Sequence, residues 1–570
     1  MKLRYAQKEV LKQITEAIDS GKRDIFIQAP TGVGKSLIAL ELSKMLALIG
    51  KDSYILTSEK SLQQQYEDDC KVKFAPRHED VISISGIDTY KCNINNEKFS
   101  LGVCRNLGLS NKAALELTCS SNCEYLQRWY SAKMSKRVIM NYNLYLLQMN
   151  YVYPRMGKNA PFQRRNIVIC DEAHKLPDII ESHFACRLNP NTANRILDVI
   201  KGLTSLGHNY NLNISELRTS ISYAISKPEG VSASIHHAAL KRVYDAYSTM
   251  ISSLNCIKAE LTVKYMPGSH SPEDLKEFSK NLPKEIKALL SLTDAIKDQH
   301  CKVEDAYNMI ELHGLQNLVA CDQEKGERSY HNLSDYHLFH KHFRNFSDVR
   351  IYMSATLQSN LLINRWKLDP KICHIIDVAS DWDPNKSPVV CCNTTNMSHG
   401  GGASSVNAAI MKIDSLLNSH SSERGVIHTT TNIIAEELLA NSIHANRLYS
   451  YSGTVEKIEL LKRLPNLPKN AVIIGPSLFT GVDLYDDLAR FNIIVKLGYP
   501  NVGSRVWKRR FDFQPDVYFG EAASVLEQSA GRTTRHKDDY STTYILDDRA
   551  KNFISKNKRY FSESFLGRVL

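Results

Sequence analysis

No run of eighteen apolar residues occurs in this chain, which argues against a membrane-spanning helix and predicts a soluble protein. The N-terminus lacks the charged-then-apolar pattern of a secretory signal, so an intracellular, cytoplasmic setting is expected. Internal repeats and long low-complexity tracts are missing too, leaving no sign of a repeat array. The thirteen cysteines are odd in number and scattered, which argues against a disulfide framework and for a reducing compartment. Charge is not one-sided: 72 basic against 61 acidic side chains give +11, a mild bias toward an anionic partner. With 43% hydrophobic content over 570 residues, three or four domains with real cores can form.

What is present is concentrated in short segments. Residues 25–27, Ile-Phe-Ile, read as a buried strand, and Leu37, Ile38, Leu40, Leu42, Met45 and Leu46 recur as the apolar faces of a helix ending near Gly50. Between them, the run from Ala29 through Thr31, Gly32, Gly34 and Lys35 to Ser36 has the glycines, lysine and hydroxyl of a phosphate-binding loop. A glycine-rich turn entering a helix aims backbone N–H groups and positive potential at phosphates. Lys35 is expected to reach the β- and γ-phosphates of a nucleotide and Ser36 to bind Mg²⁺. Ala29 stands where the usual pattern has its first glycine.

Residues 166–170 form another buried-type run, which delivers Asp171 and Glu172 of an Asp-Glu-Ala-His segment to the carboxyl edge of a parallel sheet. Asp171 suits the Mg²⁺ shell, and Glu172 suits polarisation of an attacking water. The run from Val349 to Leu357 reads as a strand entering the small hydroxyl residues Ser354 and Thr356. Farther on, Gln528-Ser-Ala-Gly-Arg532-Thr-Thr-Arg535 spaces two guanidinium groups three residues apart, on one face of an expected helix. Arginines so placed can stabilise charge on a transferring phosphoryl group. Together these segments describe a nucleoside triphosphate hydrolase.

In this order the segments resemble motifs I, II, III and VI of superfamily 2 helicases, and more narrowly the XPD/DinG branch. Arg4-x-x-Gln7 lies where that branch has its adenine-reading motif, and residues 55–58 with Leu62-Gln-x-Gln-Tyr66 resemble motif Ia. Asn141-Tyr142-Asn143 resembles the end of the strand before motif II, residues 425–429 resemble motif IV, and residues 475–483 resemble motif V. The resemblance implies an α/β fold of two RecA-like parallel-sheet motor lobes, residues 1–86 with 136–180 and residues 341–570. It implies ATP and Mg²⁺ as cofactors, with Arg4, Gln7, Thr31, Gly32, Gly34, Lys35, Ser36, Gly481 and Asp483 around the nucleotide and Ser36 and Asp171 on Mg²⁺. Lys35, Asp171, Glu172, Gln528, Arg532 and Arg535 are then the residues expected to carry the chemistry.

Two insertions interrupt the first lobe and its exit. Cys92, Cys104, Cys119 and Cys123 are separated by eleven, fourteen and three residues, and four thiolates can satisfy one tetrahedral metal or a cubane cluster. Neither spacing nor ligand type alone separates zinc from iron. The family carries a [4Fe–4S] cluster here, after a Gly…Tyr-x-Cys signature that Gly86, Tyr90 and Cys92 reproduce, so residues 87–135 are expected to form an iron–sulfur subdomain, with Zn²⁺ as the alternative. Residues 175–352 hold a second insertion with helical periodicity at Ala239, Leu240, Val243, Ala246, Tyr247, Met250, Ile251 and Leu254, and again at Ile286, Leu289, Leu290, Leu292 and Ile296. The resemblance implies a mainly helical Arch domain over 181–340.

Basic groups near aromatics at Arg128-Trp129-Tyr130 with Lys133, Lys136 and Arg137, and at Arg505-Val-Trp507-Lys-Arg-Arg510, are candidates for following a nucleic-acid strand. No groove-reading helix module is visible, which favours single strands over duplex. The resemblance implies a monomeric motor on single-stranded DNA and forked or tailed duplex DNA, moving 5′ to 3′, with RNA a second candidate and no membrane partner. A translocase or remodeller without processive unwinding, and an ATP-switched regulatory binding module, are the alternatives. Two departures stand out: Thr480-Gly481-Val-Asp483 replaces the branch's Glu-Gly-x-Asp, and the chain begins almost at Arg4, so no nuclease activity is expected. Residues 398–405 read as a flexible loop within the second lobe.

Overall fold

The computed structural model describes every residue except 1–2, 31, 74–77, 79, 107–108, 228–231, 266–282, 314–317, 324–325, 379–382, 398–401, 477, 479–483 and 535–537. Thr31, Gly481, Asp483 and Arg535, all expected at the nucleotide, therefore lie outside the described residues.

In chain order the strands are β1 (Asp24–Gln28), β2 (Ser53–Thr57), β3 (Ile82–Ser83), β4 (Arg137–Asn141), β5 (Arg165–Asp171), β6 (Cys186–Leu188), β7 (Leu318–Gln323) and β8 (Glu327–Asn332). They continue with β9 (Ser347–Ser354), β10 (Cys373–Asp377), β11 (Val389–Thr395), β12 (Gly425–His428), β13 (Leu448–Tyr449), β14 (Val472–Gly475), β15 (Phe491–Ile494) and β16 (Thr542–Asp547). One sheet has seven strands in the order β10-β1-β9-β5-β2-β4-β3, and a second has six in the order β11-β16-β15-β12-β14-β13. Neighbouring strands of the second run parallel throughout, as do β1 with β10, β2 with β4 and β5, and β3 with β4. These are two RecA-like parallel sheets in an α/β chain. Their inner strands read as unbroken apolar runs because helices cover both faces of such a sheet, and β2 and β4 are buried at every position.

The sheet order corrects the boundary expected at residue 341. Strands β9 and β10 belong to the seven-stranded sheet, so the second lobe's own strands begin at Val389. The reason is chain economy within a parallel fold: β9 ends in Ser354, whose carbonyl accepts from Ala29 N at 3.0 Å at the start of the phosphate loop. A second correction concerns residues 398–405. Gly402 already opens the helix Gly402–Ser419, which buries Ala409, Ile410, Ile413 and Leu417 against the six-stranded sheet's core, while 398–401 lie outside the described residues.

By contact the chain divides into two compact units. One comprises Ala39–Asp171 with Lys175–Arg350, and the other Lys2–Ile38, Glu172–His174 and Ile351–Leu570. Within the first, the helices Ala233–Tyr265 and Lys284–His313 bury Leu240, Val243, Tyr247, Leu254, Leu289 and Ile296 in one core. Those positions recur every three or four residues, as one apolar helix face requires. Strands β6, β8 and β7 add a small antiparallel sheet to this helical region.

Candidate nucleotide site

The phosphate loop is shaped by its glycines. Gly32 and Gly34 adopt φ of 83° and 89°, the left-handed region that a side chain disfavours. A Cβ on Gly34 would also fall 2.6 Å from Gln7 Nε2. The helix Lys35–Leu48 begins immediately afterwards, with Leu37 N donating to Gly34 O at 3.0 Å, so its N–H groups open onto the loop. Lys35 Nζ donates to Ala29 O at 3.3 Å, and Ser36 is half-buried at the first turn.

Arg4 and Gln7 are turned toward this loop. Arg4 Nη2 donates to the carbonyls of Gly32, at 2.8 Å, and Val33, and Gln7 Nε2 donates to Val33 O at 2.9 Å. Gln7 Oε1 in turn accepts from Arg4 N at 2.9 Å, so both ends of its amide are engaged. In this structure the two residues brace the loop from the start of the helix Tyr5–Asp19.

Asp171 is the last residue of β5 and only 2% exposed. Tyr66 O–H donates to its Oδ2 at 2.8 Å and Tyr142 O–H to its main-chain oxygen at 2.9 Å. Sequence reasoning placed both tyrosines inside motifs without giving either a role. The one available signal was spacing: Gln63 and Tyr66 form the buried face of the short helix Lys60–Asp68.

Glu172 turns the chain with φ of 53°, a conformation uncommon for a side-chain-bearing residue. Its Oε2 accepts from Ser354 Oγ at 3.4 Å and lies 3.3 Å from His174 Nδ1. His174 Nδ1 meets Ser354 Oγ at 2.7 Å, while Gln528 Nε2 donates to His174 Nε2 at 3.0 Å and to Thr356 Oγ1 at 2.9 Å. A neutral imidazole with its proton on Nδ1 satisfies both sides. The Asp-Glu-Ala-His segment, the end of β9 and the Gln528 helix are thus joined in one hydrogen-bonded chain.

Arg532 lies beyond the helix that carries Gln528, and Arg535 lies outside the described residues. The helix Pro515–Ala530 stops before Arg532, because Gly531 N closes back on Glu527 O at 3.1 Å and the chain then departs, with Arg532 O accepting from Leu484 N at 3.1 Å. Burial, reinforced by the Arg532 charge, holds the His428 imidazole down to about 3, so it is neutral at working pH.

Of the four cysteines, Cys92, Cys104 and Cys123 are buried and Cys119 is half-buried. Gly102 lets Cys92 approach closely: a Cβ there would lie 3.3 Å from the Cys92 sulfur. Cys123 is the N-cap of the helix Glu124–Met134, and burial raises its thiol pKa although the backbone N–H groups of Leu126 and Tyr125 act the other way. Burial pushes the Cys104 thiol up to about 12, and the charges of Cys92, Cys123 and Cys119 act in the same direction. Among the described residues no three His, Cys, Asp or Glu side chains stand at metal-holding distances.

The basic segments fare differently from expectation. Arg137 is 1% exposed and gives its guanidinium to Ser43 Oγ, Leu40 O, His78 and Asp80, which makes it an internal brace. Arg510 is equally buried, with its guanidinium 5.1 Å from the Trp507 ring centre. Arg128 pairs with Glu67 and Glu124, Trp129 is buried, and Lys508 pairs with Asp512. Neither run is therefore a continuous basic surface.

Residues 1–207 match the family described as type III restriction enzyme, res subunit, and residues 416–566 match the helicase C-terminal domain family. The ATP-dependent DNA helicase CHL1 of Vanderwaltozyma polyspora is 33% identical over 104 residues, 15% of this chain and 12% of that protein. The ATP-dependent DNA helicase chl-1 of Caenorhabditis elegans is 31% identical over 85 residues, 14% of this chain and 10% of that protein. The chain thus spans only about an eighth or less of the curated relatives it matches. The solved structure of S. tokodaii Xpd4 aligns over 99% of both chains with a TM-score of 0.58 and 14% identity. A second, named XPD_Helicase, aligns over 98% of both with a TM-score of 0.57 and 14% identity, a likeness of fold. With the phosphate loop, the Asp-Glu-Ala-His segment and Gln528 carried on two RecA-like sheets, the chain has the fold of the solved XPD structures, and its two ends match the res-subunit and helicase C-terminal domain families.

Proposed function

We propose that this chain is an ATP-dependent DNA helicase that moves 5′ to 3′ on single-stranded DNA and unwinds tailed or forked duplexes in replication, repair or recombination. The observation that carries the reading is the hydrogen-bonded chain from Glu172 through His174 and Ser354 to Gln528, beside a phosphate loop braced by Arg4 and Gln7. It ties the group suited to activating water to a helix of the six-stranded lobe, which is what a motor needs to convert hydrolysis into motion.

Lys35 would hold the β- and γ-phosphates, and the N–H groups at the start of its helix would cradle them. Asp171 and Ser36 would hold Mg²⁺, which when bound neutralises phosphate charge. Glu172 would orient the attacking water, and Arg532 with Arg535 would stabilise charge on the transferring phosphoryl group. Gly481 and Asp483 belong to the same nucleotide set by family resemblance. Cys92, Cys104, Cys119 and Cys123 would hold a [4Fe–4S] cluster that keeps the 87–135 segment rigid, and residues 181–340 would form the Arch domain.

The test is ATP-driven strand separation on matched duplexes with 5′ or 3′ single-stranded tails, in DNA and RNA versions, with Lys35→Ala alongside. Release from 5′-tailed DNA alone, lost in the variant, is expected. Unwinding retained by Lys35→Ala overturns the reading, and ATP turnover without release moves it to a translocase or remodeller. Iron content and visible absorbance after anaerobic purification test the cluster; one equivalent of zinc without iron refutes it.

A further inference from the structure

We propose that Tyr66 is a positioning residue for Asp171, a role that rests on the ATPase reading above and deepens it. Tyr66 is fully buried, and its hydroxyl donates to Asp171 Oδ2 at 2.8 Å inside the first unit. Its helix is fixed one turn earlier by Gln63, whose Nε2 donates to Ile84 O at 2.8 Å and to Ser83 Oγ at 3.0 Å. One residue beyond Tyr66, Glu67 pairs with Arg128 at 2.7 Å. The hydroxyl is therefore delivered from an anchored element.

Tyr142 secures the main-chain oxygen of the same aspartate at 2.9 Å, so backbone and carboxylate are held separately by two hydroxyls from different elements. A charge-assisted hydrogen bond to a buried carboxylate is short, directional and restricts its rotamer. Groups that orient a metal ligand in this way typically change metal affinity by about 10- to 100-fold when removed. Asp171 is also joined through the backbone to Glu172, whose left-handed φ makes the turn sensitive to the exact placement of the strand end.

The experiment uses the full chain and its Tyr66→Phe variant, which keeps the ring and removes only the hydroxyl. ATPγS binding is measured by calorimetry with Mg²⁺ and with EDTA, and the Mg²⁺ dependence of ATP hydrolysis is measured in parallel. The variant is expected to need about tenfold more Mg²⁺ for half-saturation, while its ATPγS affinity in EDTA stays within about twofold of the parent. In an Asp171→Asn background the same change should have no further effect on Mg²⁺ dependence. An unchanged Mg²⁺ requirement in Tyr66→Phe, or an equal loss of ATPγS affinity in EDTA, overturns the inference while leaving the ATPase reading intact. A parent chain that neither hydrolyses ATP nor binds ATPγS more tightly with Mg²⁺ overturns the ATPase reading and the inference with it.

Discussion

At the carboxyl ends of β1, β5 and β9 stand the phosphate loop, Asp171 with Glu172, and Ser354, whereas β12, β14 and β16 end in His428, Gly475 and Asp547. Both sheets are parallel, and the carboxyl edge of such a sheet is where ligands bind. In the first set Asp171 and Ser354 are buried, but Glu172 keeps 31% of its side chain exposed and His174, two residues on, 11%. The second set is turned inward. Asp547 is fully buried, pairs with Arg549 at 2.7 Å and accepts from Leu497 N at 3.2 Å. His428 is buried and neutral, and a Cβ on Gly475 would fall 2.6 Å from the Tyr451 ring. Position in the fold makes an edge available, and the side chains decide whether it does chemistry. The six-stranded lobe contributes instead through a helix, by way of Gln528.

The sharpest way to break this contrast is Glu172→Gln. Loss of the carboxylate should lower ATP hydrolysis by about 10²- to 10⁴-fold with nucleotide binding retained, read by phosphate release and by binding of ATPγS. Hydrolysis within tenfold of the parent would remove the chemical distinction between the two sheets. Asp547→Ala should act on stability: leaving Arg549 without its buried partner is expected to cost about 3 kcal/mol, measured from the denaturant midpoint. The ATP turnover of the folded variant should match the parent, and a selective loss of turnover would assign Asp547 to the site.

The smallest effect concerns Glu527, on the same helix as Gln528. Burial raises its carboxyl from 4.5 to about 7, although Ser562 donates to it and Arg568 lies near. Between about pH 5 and 7 the folded chain keeps a proton that the unfolded chain has released, so stability falls as pH rises through that window. Glu527→Gln removes the ionisation. Its melting temperature should therefore drop by about 2 °C less than the parent's between pH 5.5 and 7.5. Equal slopes would show that Glu527 does not titrate in the fold.

Much of the candidate nucleotide site's local structure was legible because its signals are local. The glycines of residues 32 and 34, the helix entered at Lys35 and the apolar run before Asp171 are each set by neighbours in the chain. The helical periodicities at Leu240 to Leu254 and Ile286 to Ile296 were readable for the same reason. Arg137 and Arg510 misled because a basic side chain near an aromatic looks alike in sequence whether it faces solvent or the carbonyl of Leu40. Arg532 misled because its spacing from Arg535 fits a helix that in fact stops at Ala530.

The sequence by itself determined the order of motifs, most strand and helix types, and which groups are candidates for phosphate and metal. Those depend on covalent neighbours and on periods of two and 3.6 residues. Only the tertiary structure decided that Tyr66 meets Asp171, that Gln528 meets His174, and that β9 and β10 join the first sheet. These contacts join segments far apart in the chain, and burial of a polar group requires a partner whose position no local pattern specifies.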